Sequence, residues 1–317
     1  MLTIDSLQAI DVGDSTQWLR IRGSDVSNPV LLLIQQGPGL PVINEVHRFA
    51  RVLRLEEAFT VVYWDQRGCG LSLRGQKPHS EIRLEKMVSD TVRILEYLRD
   101  RFGGKTTIAA FSIGGTIGAF AAARRPDLVQ TLITVGMDIH GAAASRNAYD
   151  FALAMARQRG HARAIRQLEA VGPPPHLNAK QFSTRVRWLI NFGGVVGNET
   201  YVSLMHGLLV SLLRSADYSP GDVVRTIRGI GTAQAALLPE IEALNLVHSL
   251  PRIDVPVVMV QGRLDQVSPG GEAALYASSL QAPSKQLIWF ENSRHSPHLE
   301  ESEKFRDLLM RARAGQI

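Results

Sequence analysis

The chain has 317 residues, 45% of them hydrophobic and 21% charged, with a formal net charge of +5, a balance that suits a globular domain with an insertion and excludes extended disorder. Its single cysteine, Cys69, excludes an intrachain disulfide framework and a multi-cysteine metal site, and the Lys and Arg residues are spread rather than gathered into the basic run of a nucleic-acid-binding face. The stretch from Met1 to Leu19 carries Asp5, Asp11 and Asp14 without a basic start or an apolar centre, and no apolar run reaches membrane-spanning length, so the expectation is a cytoplasmic protein with no signal peptide, no nucleic-acid partner and no membrane partner.

Gln17 to Gly23 alternates like an edge strand, and Val30 to Ile34 is a continuous apolar run of the kind buried on both faces of a sheet. That run stops at Gln35-Gln36-Gly37-Pro38-Gly39. A helix follows with Val42, Val46, Phe49, Ala50 and Leu53 on one side, then the strand Phe59 to Trp64, which leads into Asp65-Gln66-Arg67-Gly68-Cys69-Gly70. Glu85 to Arg101 reads as an amphipathic helix through Met87, Thr91, Ile94, Leu95 and Leu98. Thr107 to Phe111 is another apolar run. It breaks at Ser112 and restarts as the small-residue helix Ile113-Gly114-Gly115-Thr116. With Leu128 to Gly136 as the next strand, the alternation predicts a parallel sheet with helical crossovers.

From His140 to His248 the pattern changes to helical periodicity with turn signals such as Gly172-Pro173-Pro174-Pro175. Bases outnumber acids over residues 141 to 247, which favours neutral or anionic ligands there. The strand and helix rhythm resumes with Val255 to Val260, a helix from Gly271 to Leu280, the strand Gln286 to Phe290 and a last helix from His298 to Arg313. The expected architecture is α/β: a mostly parallel sheet with helices on both faces, formed by residues 1–138 and 249–317, with residues 139–248 inserted as a helical cap.

Ala110-Phe111-Ser112-Ile113-Gly114 reads as a nucleophile elbow, G-x-S-x-G with Ala110 in the place of the first glycine. Such a turn strains the serine backbone and needs small neighbours where strand and helix approach. A serine hydroxyl needs a base, a group to orient that base and donors for an oxyanion. Asp265 follows one late strand and His295 the next, and the order Ser, Asp, His is that of the α/β-hydrolases. Asp138 is the rival acid and His298 the rival base. Asp265 is preferred because a loop acid near the histidine loop gives the simpler triad, and His295 because the base must reach the serine from the loop itself. Gly37-Pro38-Gly39 fits an oxyanion loop, with the N–H groups of Gly37 and Ile113 as donors.

These segments resemble the proline-iminopeptidase-like branch of the α/β-hydrolase superfamily. The Gly37-Pro38-Gly39 loop stands at the family's H-G-G-P-G, Asp65-Gln66-Arg67-Gly68-Cys69-Gly70 follows the next strand, and the elbow with its later Asp and His completes the match. The resemblance implies the α/β-hydrolase fold, a cap over the site, a structural role for the Asp65 to Gly70 loop and a cis bond between Gly37 and Pro38. The departures bear on substrate: Gln35 and Gln36 replace His and Gly, and Ile113 replaces the Trp that often follows the nucleophile in iminopeptidases. Those enzymes hold a free amino terminus with cap glutamates. Here only Glu169, Glu199, Glu240 and Glu242 are scattered through a basic cap.

The expected activity is therefore that of a serine carboxylesterase or amidase acting on a small ester or amide substrate without a cofactor or metal. Release of N-terminal proline is the alternative, and a non-catalytic binding protein on a hydrolase scaffold is a second. A dehalogenase or epoxide hydrolase would need Asp at position 112. Gln36 of the loop and Trp188, Phe192 and Met205 of the cap are the expected substrate contacts, the last three on an apolar cap wall that also includes Phe151, Met155, Leu189 and Leu208.

Overall fold

In the computed structural model, which describes residues 2–74, 82–176, 178–197 and 199–317, the fully apolar runs become the centre of the sheet. β1 (Ile4–Asp11), β2 (Thr16–Gly23) and β3 (Val30–Ile34) precede α1 (Val46–Val52), β4 (Thr60–Asp65) and α2 (Leu84–Phe102). β5 (Thr106–Phe111), α3 (Ile113–Arg124) and β6 (Val129–Val135) follow. The helices α4 (Gly141–Gln158), α5 (Ala162–Val171), α6 (Ala179–Asn191), α7 (Tyr201–Arg214), α8 (Pro220–Glu242) and α9 (Leu246–Ser249) come next. β7 (Val257–Gly262), α10 (Gly270–Ser279), β8 (Lys285–Phe290), α11 (Pro297–Glu300) and α12 (Ser302–Arg313) close the chain.

Among the described residues the sheet has eight strands in the order β1-β2-β4-β3-β5-β6-β7-β8. Every pair from β4 to β8 is parallel, while β2 runs antiparallel to both β1 and β4. Strand order reverses at β3, which lies between β4 and β5. The loops after β3 and β5 therefore emerge side by side, where open α/β sheets place their ligands. One apolar core lies on each face. Leu32, Ile34 and Ile108 point to the side of α2 and α3, whereas Leu31, Leu33 and Ala109 point to that of α1 and α12.

The first strand was not expected. Its residues mix polar and apolar side chains without a regular alternation, and it pairs along its whole length with β2, which is therefore not an edge. The helix expected over residues 42–53 is a short 3₁₀ turn, Ile43–Glu45, followed by α1.

Glycine is required where α3 meets the sheet. A Cβ on Gly114 would lie 2.1 Å from the carbonyl oxygen of Gln35, and one on Gly118 would lie 3.3 Å from the Cβ of Ala110. Gly118 thus makes room for the methyl that Ala110 brings to the elbow. Gly114→Ala is expected to destabilise the protein at the upper end of the ~1–3 kcal/mol that overpacking costs, read from urea unfolding. Gly207, on α7 with nothing near its missing Cβ, should instead gain about 0.5–1 kcal/mol as alanine.

Candidate active site

Ser112 stands between β5 and α3 with φ 52° and ψ −126°, a conformation that costs a non-glycine residue about 1–3 kcal/mol. The strain is held by its neighbours: the Ser112 N–H donates to Val135 O at 2.8 Å, and its carbonyl accepts from Gly115 N at 2.8 Å. The hydroxyl lies 3.0 Å from His295 Nε2. On the other side of the ring, His295 Nδ1 is 2.8 Å from Asp265 Oδ2. With Nδ1–H donating to the carboxylate, Nε2 is the acceptor for the serine proton.

The remaining bonds of Asp265 fix its loop. Its Oδ1 accepts from Val267 N at 2.7 Å and Ser268 N at 3.1 Å, and Gln261 Nε2 is 3.3 Å from Oδ2. Gly136 is needed here, because a Cβ at its φ of +55° would approach His295 Nδ1 to 3.0 Å. Segments from the inserted helical region brace both loops. Gln266 N donates to Gly194 O at 3.1 Å, His295 N to Val195 O at 3.0 Å, and Asn147 Nδ2 to Gln266 O at 3.0 Å.

Asp138 is close but differently engaged. Its Oδ1 accepts from Ser268 Oγ at 2.8 Å, and burial raises its carboxyl pKa against the pull of His295 and Ser268. His298 is packed between Phe111, with ring centroids 4.3 Å apart, Phe49 and Phe305. Burial there pushes its pKa down to about 3. It is an uncharged part of the core that makes an aromatic contact.

His295 is the charge-sensitive member. Burial alone would lower its pKa, but the facing carboxylate of Asp265, with its hydrogen bond and the further fields of Asp138 and Glu300, raises it above the usual value. A base must be neutral to accept a proton. The acid limb of kcat/KM should accordingly have its midpoint above the ordinary imidazole value of about 6.5, and Asp138→Asn should move it to lower pH. A pH profile of ester cleavage measures both.

The loop after β3 turns through Gly37 and Gly39, at φ 67° and 79°. A Cβ on Gly39 would meet Ile230 Cα at 2.7 Å, so α8 rests directly on this loop. Gln35 holds it from beneath: its Nε2 donates to Gly37 O at 3.2 Å, and its Oε1 accepts from the Cys69 thiol at 2.7 Å. The bond between Gly37 and Pro38 is trans; among the described residues only Pro174–Pro175 is cis. That corrects the expectation drawn from the resemblance, and no contact in the loop calls for the other isomer. Ile113 is the first residue of α3, where N–H groups lack intrahelical acceptors and the helix dipole favours negative charge.

Arg67 is tied to Asp90 at 2.7 Å and Asp14 at 2.6 Å. The Asp65 carboxylate accepts from Val42 N, Ile43 N, Leu71 N and the Tyr218 hydroxyl. This loop is therefore a brace that also reaches the segment before α8.

Trp188 and Phe192, expected to contact substrate, instead stack on each other with centroids 5.6 Å apart and fill the interior of the helical region with Tyr149, Ala152 and Leu168. Their spacing of four puts both on the face of α6 that meets α4 and α5. Gln36 and Met205 are half-buried. Leu189 and Phe151, also expected on the wall, come closer to the chemistry, since both would touch a Cβ on Gly194 beside the Asp265 loop. Ser268 in a loop, Gln261 on β7 and Asn147 on α4 were not foreseen, because a single polar residue carries no pattern that marks what it braces. Volume does not mark the site either: a surface concavity of about 670 Å³ near Val12, Asp14, Asp90 and Arg93 includes none of Ser112, Asp265 and His295.

A strained serine between strand and helix, at the reversal point of a mostly parallel sheet with a helical insertion, defines the α/β-hydrolase fold. Residues 29–168 match a family described as the alpha/beta hydrolase fold. Over 311 residues the chain is 29% identical to a probable aminopeptidase, YbaC, of Bacillus subtilis, covering 98% of this chain and 96% of that one. Among solved structures it is similar to an esterase from a Rhodococcus species (TM-score 0.67, 16% identity, covering 98% of this chain and all of that one). It is likewise similar to the proline iminopeptidase of Mycobacterium smegmatis (TM-score 0.66, 17% identity, 98% of each chain). No helix among the described residues is long and apolar enough to cross a membrane.

Proposed function

We propose that the chain is a serine hydrolase that cleaves an ester or amide bond of a small substrate through an acyl-enzyme on Ser112, with residues 139–248 acting as a cap over a core formed by residues 1–138 and 249–317. The observation that carries this reading is the unbroken hydrogen-bonded line from Ser112 through His295 to Asp265. Ser112 Oγ attacks the substrate carbonyl as its proton passes to His295 Nε2. The carbonyl oxygen gains the charge, facing the N–H groups of Gly37 and Ile113. Collapse of this intermediate breaks the bond to the leaving alcohol or amine, which takes the proton back from His295. Water then attacks the acyl carbon as one of its protons passes to the same nitrogen; the bond from that carbon to Ser112 Oγ breaks, Oγ takes the proton back from His295 and the acid leaves.

The ester or amide reading is favoured over release of an N-terminal residue by what the cap glutamates do. Glu169 pairs with Arg157, Glu240 with Arg83, and Glu242 with Arg185, while Glu199 accepts from Ser203. No two of them form a clamp for an ammonium group. The YbaC relative's description as a probable aminopeptidase keeps the second reading worth testing. Labelling with a fluorophosphonate, followed by a panel of 4-nitrophenyl esters against aminoacyl arylamides, is the decisive experiment. Cleavage of short esters at least as fast as proline arylamide is expected. A strong preference for proline arylamide that vanishes when its amine is acetylated would establish the aminopeptidase instead.

A further inference from the structure

Arg185, on α6, is 5% exposed, and its Nε and Nη1 make no hydrogen bond. Its nearest carboxylate, Glu242 at the end of α8, stands 3.7 Å away and already accepts from Ser145 of α4. Two other arginines show what a complete partner set looks like. Arg74 grips Asp222 at 2.8 and 2.9 Å, and Arg263 grips Glu291 at 2.8 and 2.9 Å, each through two nitrogens. A guanidinium taken out of water without such a fork is costly unless an anion completes it. Burial indeed pulls its pKa down, opposed by Glu242 and, more weakly, Asp138. His176 completes the cluster. It is 2% exposed, its Nε2 is 3.1 Å from Gly172 O, and its Nδ1 is also without a partner.

The cluster lies on the triad side of the helical region. Ser145, which bonds Glu242, is two residues from Asn147, which donates to the Asp265 loop. Arg185 is four residues, about 6 Å of helical rise, from Leu189, which touches the segment holding His295 N and Gln266 N. The field of Arg185 reaches Asp138, and Asp138 shares Ser268 with Asp265.

We propose that Arg185 is the anchor for a carboxylate carried by the substrate, so that the preferred substrates are esters or amides bearing a free carboxylate in the acyl or the leaving part. This rests on the serine-hydrolase reading and names the substrate class of the same site. Glu242 holds the guanidinium in place and supplies its counter-charge until the substrate carboxylate arrives.

Two substrate pairs test it: 4-nitrophenyl hexanoate against mono-4-nitrophenyl adipate, and phenyl acetate against 4-acetoxybenzoate, with wild type, Arg185→Met, Arg185→Lys and Glu242→Gln. In at least one pair the wild type should favour the carboxylate. That preference should fall roughly 10- to 100-fold in Arg185→Met, chiefly through KM, and recover in part with Arg185→Lys. Glu242→Gln should lower KM for the charged member. Equal losses on both members of each pair, or a wild-type preference for the neutral member in both, would overturn the proposal; should the methionine variant fail to fold, an unchanged or raised KM in Glu242→Gln would do the same. If Ser112 is labelled and neutral esters are cleaved, such a failure belongs to the subsite alone. If no ester is cleaved and no label enters, the hydrolase reading fails. The subsite is then judged by calorimetric titration of Ser112→Ala with adipate and benzoate, where absence of binding overturns it and binding lost on adding Arg185→Met supports it.

Discussion

Replacement of Ser112 by alanine is expected to lower kcat by a factor on the order of 10⁴–10⁶ and to abolish fluorophosphonate labelling, while the fold stays intact. Without the hydroxyl no acyl-enzyme forms, and only binding and the oxyanion donors remain. Alanine tolerates φ 52° no better than serine, so the elbow strain persists and the urea midpoint should change little. Normal turnover in this variant would remove the whole mechanism.

The second large effect is expected from Asp265→Asn, with a loss in kcat of about 10⁴. The amide presents a donor or a neutral oxygen to His295 Nδ1, which frees the ring to place its proton on Nε2, facing Ser112, where it blocks proton abstraction. The same change at Asp138 should cost far less, because its carboxylate meets the Ser268 hydroxyl and not the imidazole. Parallel kcat measurements on the two variants decide between the acids. A larger loss in Asp138→Asn would reverse the assignment.

Much of this was legible in the chain. Val30 to Ile34 and Thr107 to Phe111 could be placed in the sheet centre because a strand buried on both faces is apolar throughout. Ser112, Asp265 and His295 could be grouped because each follows such a run, and the sheet brings those ends to one edge. β1 escaped because its mixture of polar and apolar residues has no strong period. The packing of Trp188 and Phe192 on each other and on Tyr149 and Leu168 was not legible, because helical spacing reveals that two residues share a face without revealing which neighbour that face meets. Nothing in the letters Ser183-Thr184-Arg185-Val186-Arg187 says that the first arginine is buried and the second exposed. That distinction is made by α4 and α8, which come from distant parts of the chain.

The helical insertion leaves the sheet after β6 and returns to it before β7, and those strands are hydrogen-bonded neighbours. At the point of departure Gly141 N donates to Leu244 O and Leu246 N to Ile139 O, closing a small antiparallel bridge between His140 and Asn245. The intervening hundred or so residues form a loop whose ends are already stapled, and the entropic cost of such a loop grows only with the logarithm of its length. Mutational drift can therefore lengthen, trim or refit this cassette without disturbing strand register. Hydrolytic machinery and substrate choice are thus free to diverge at different rates within one continuous polypeptide.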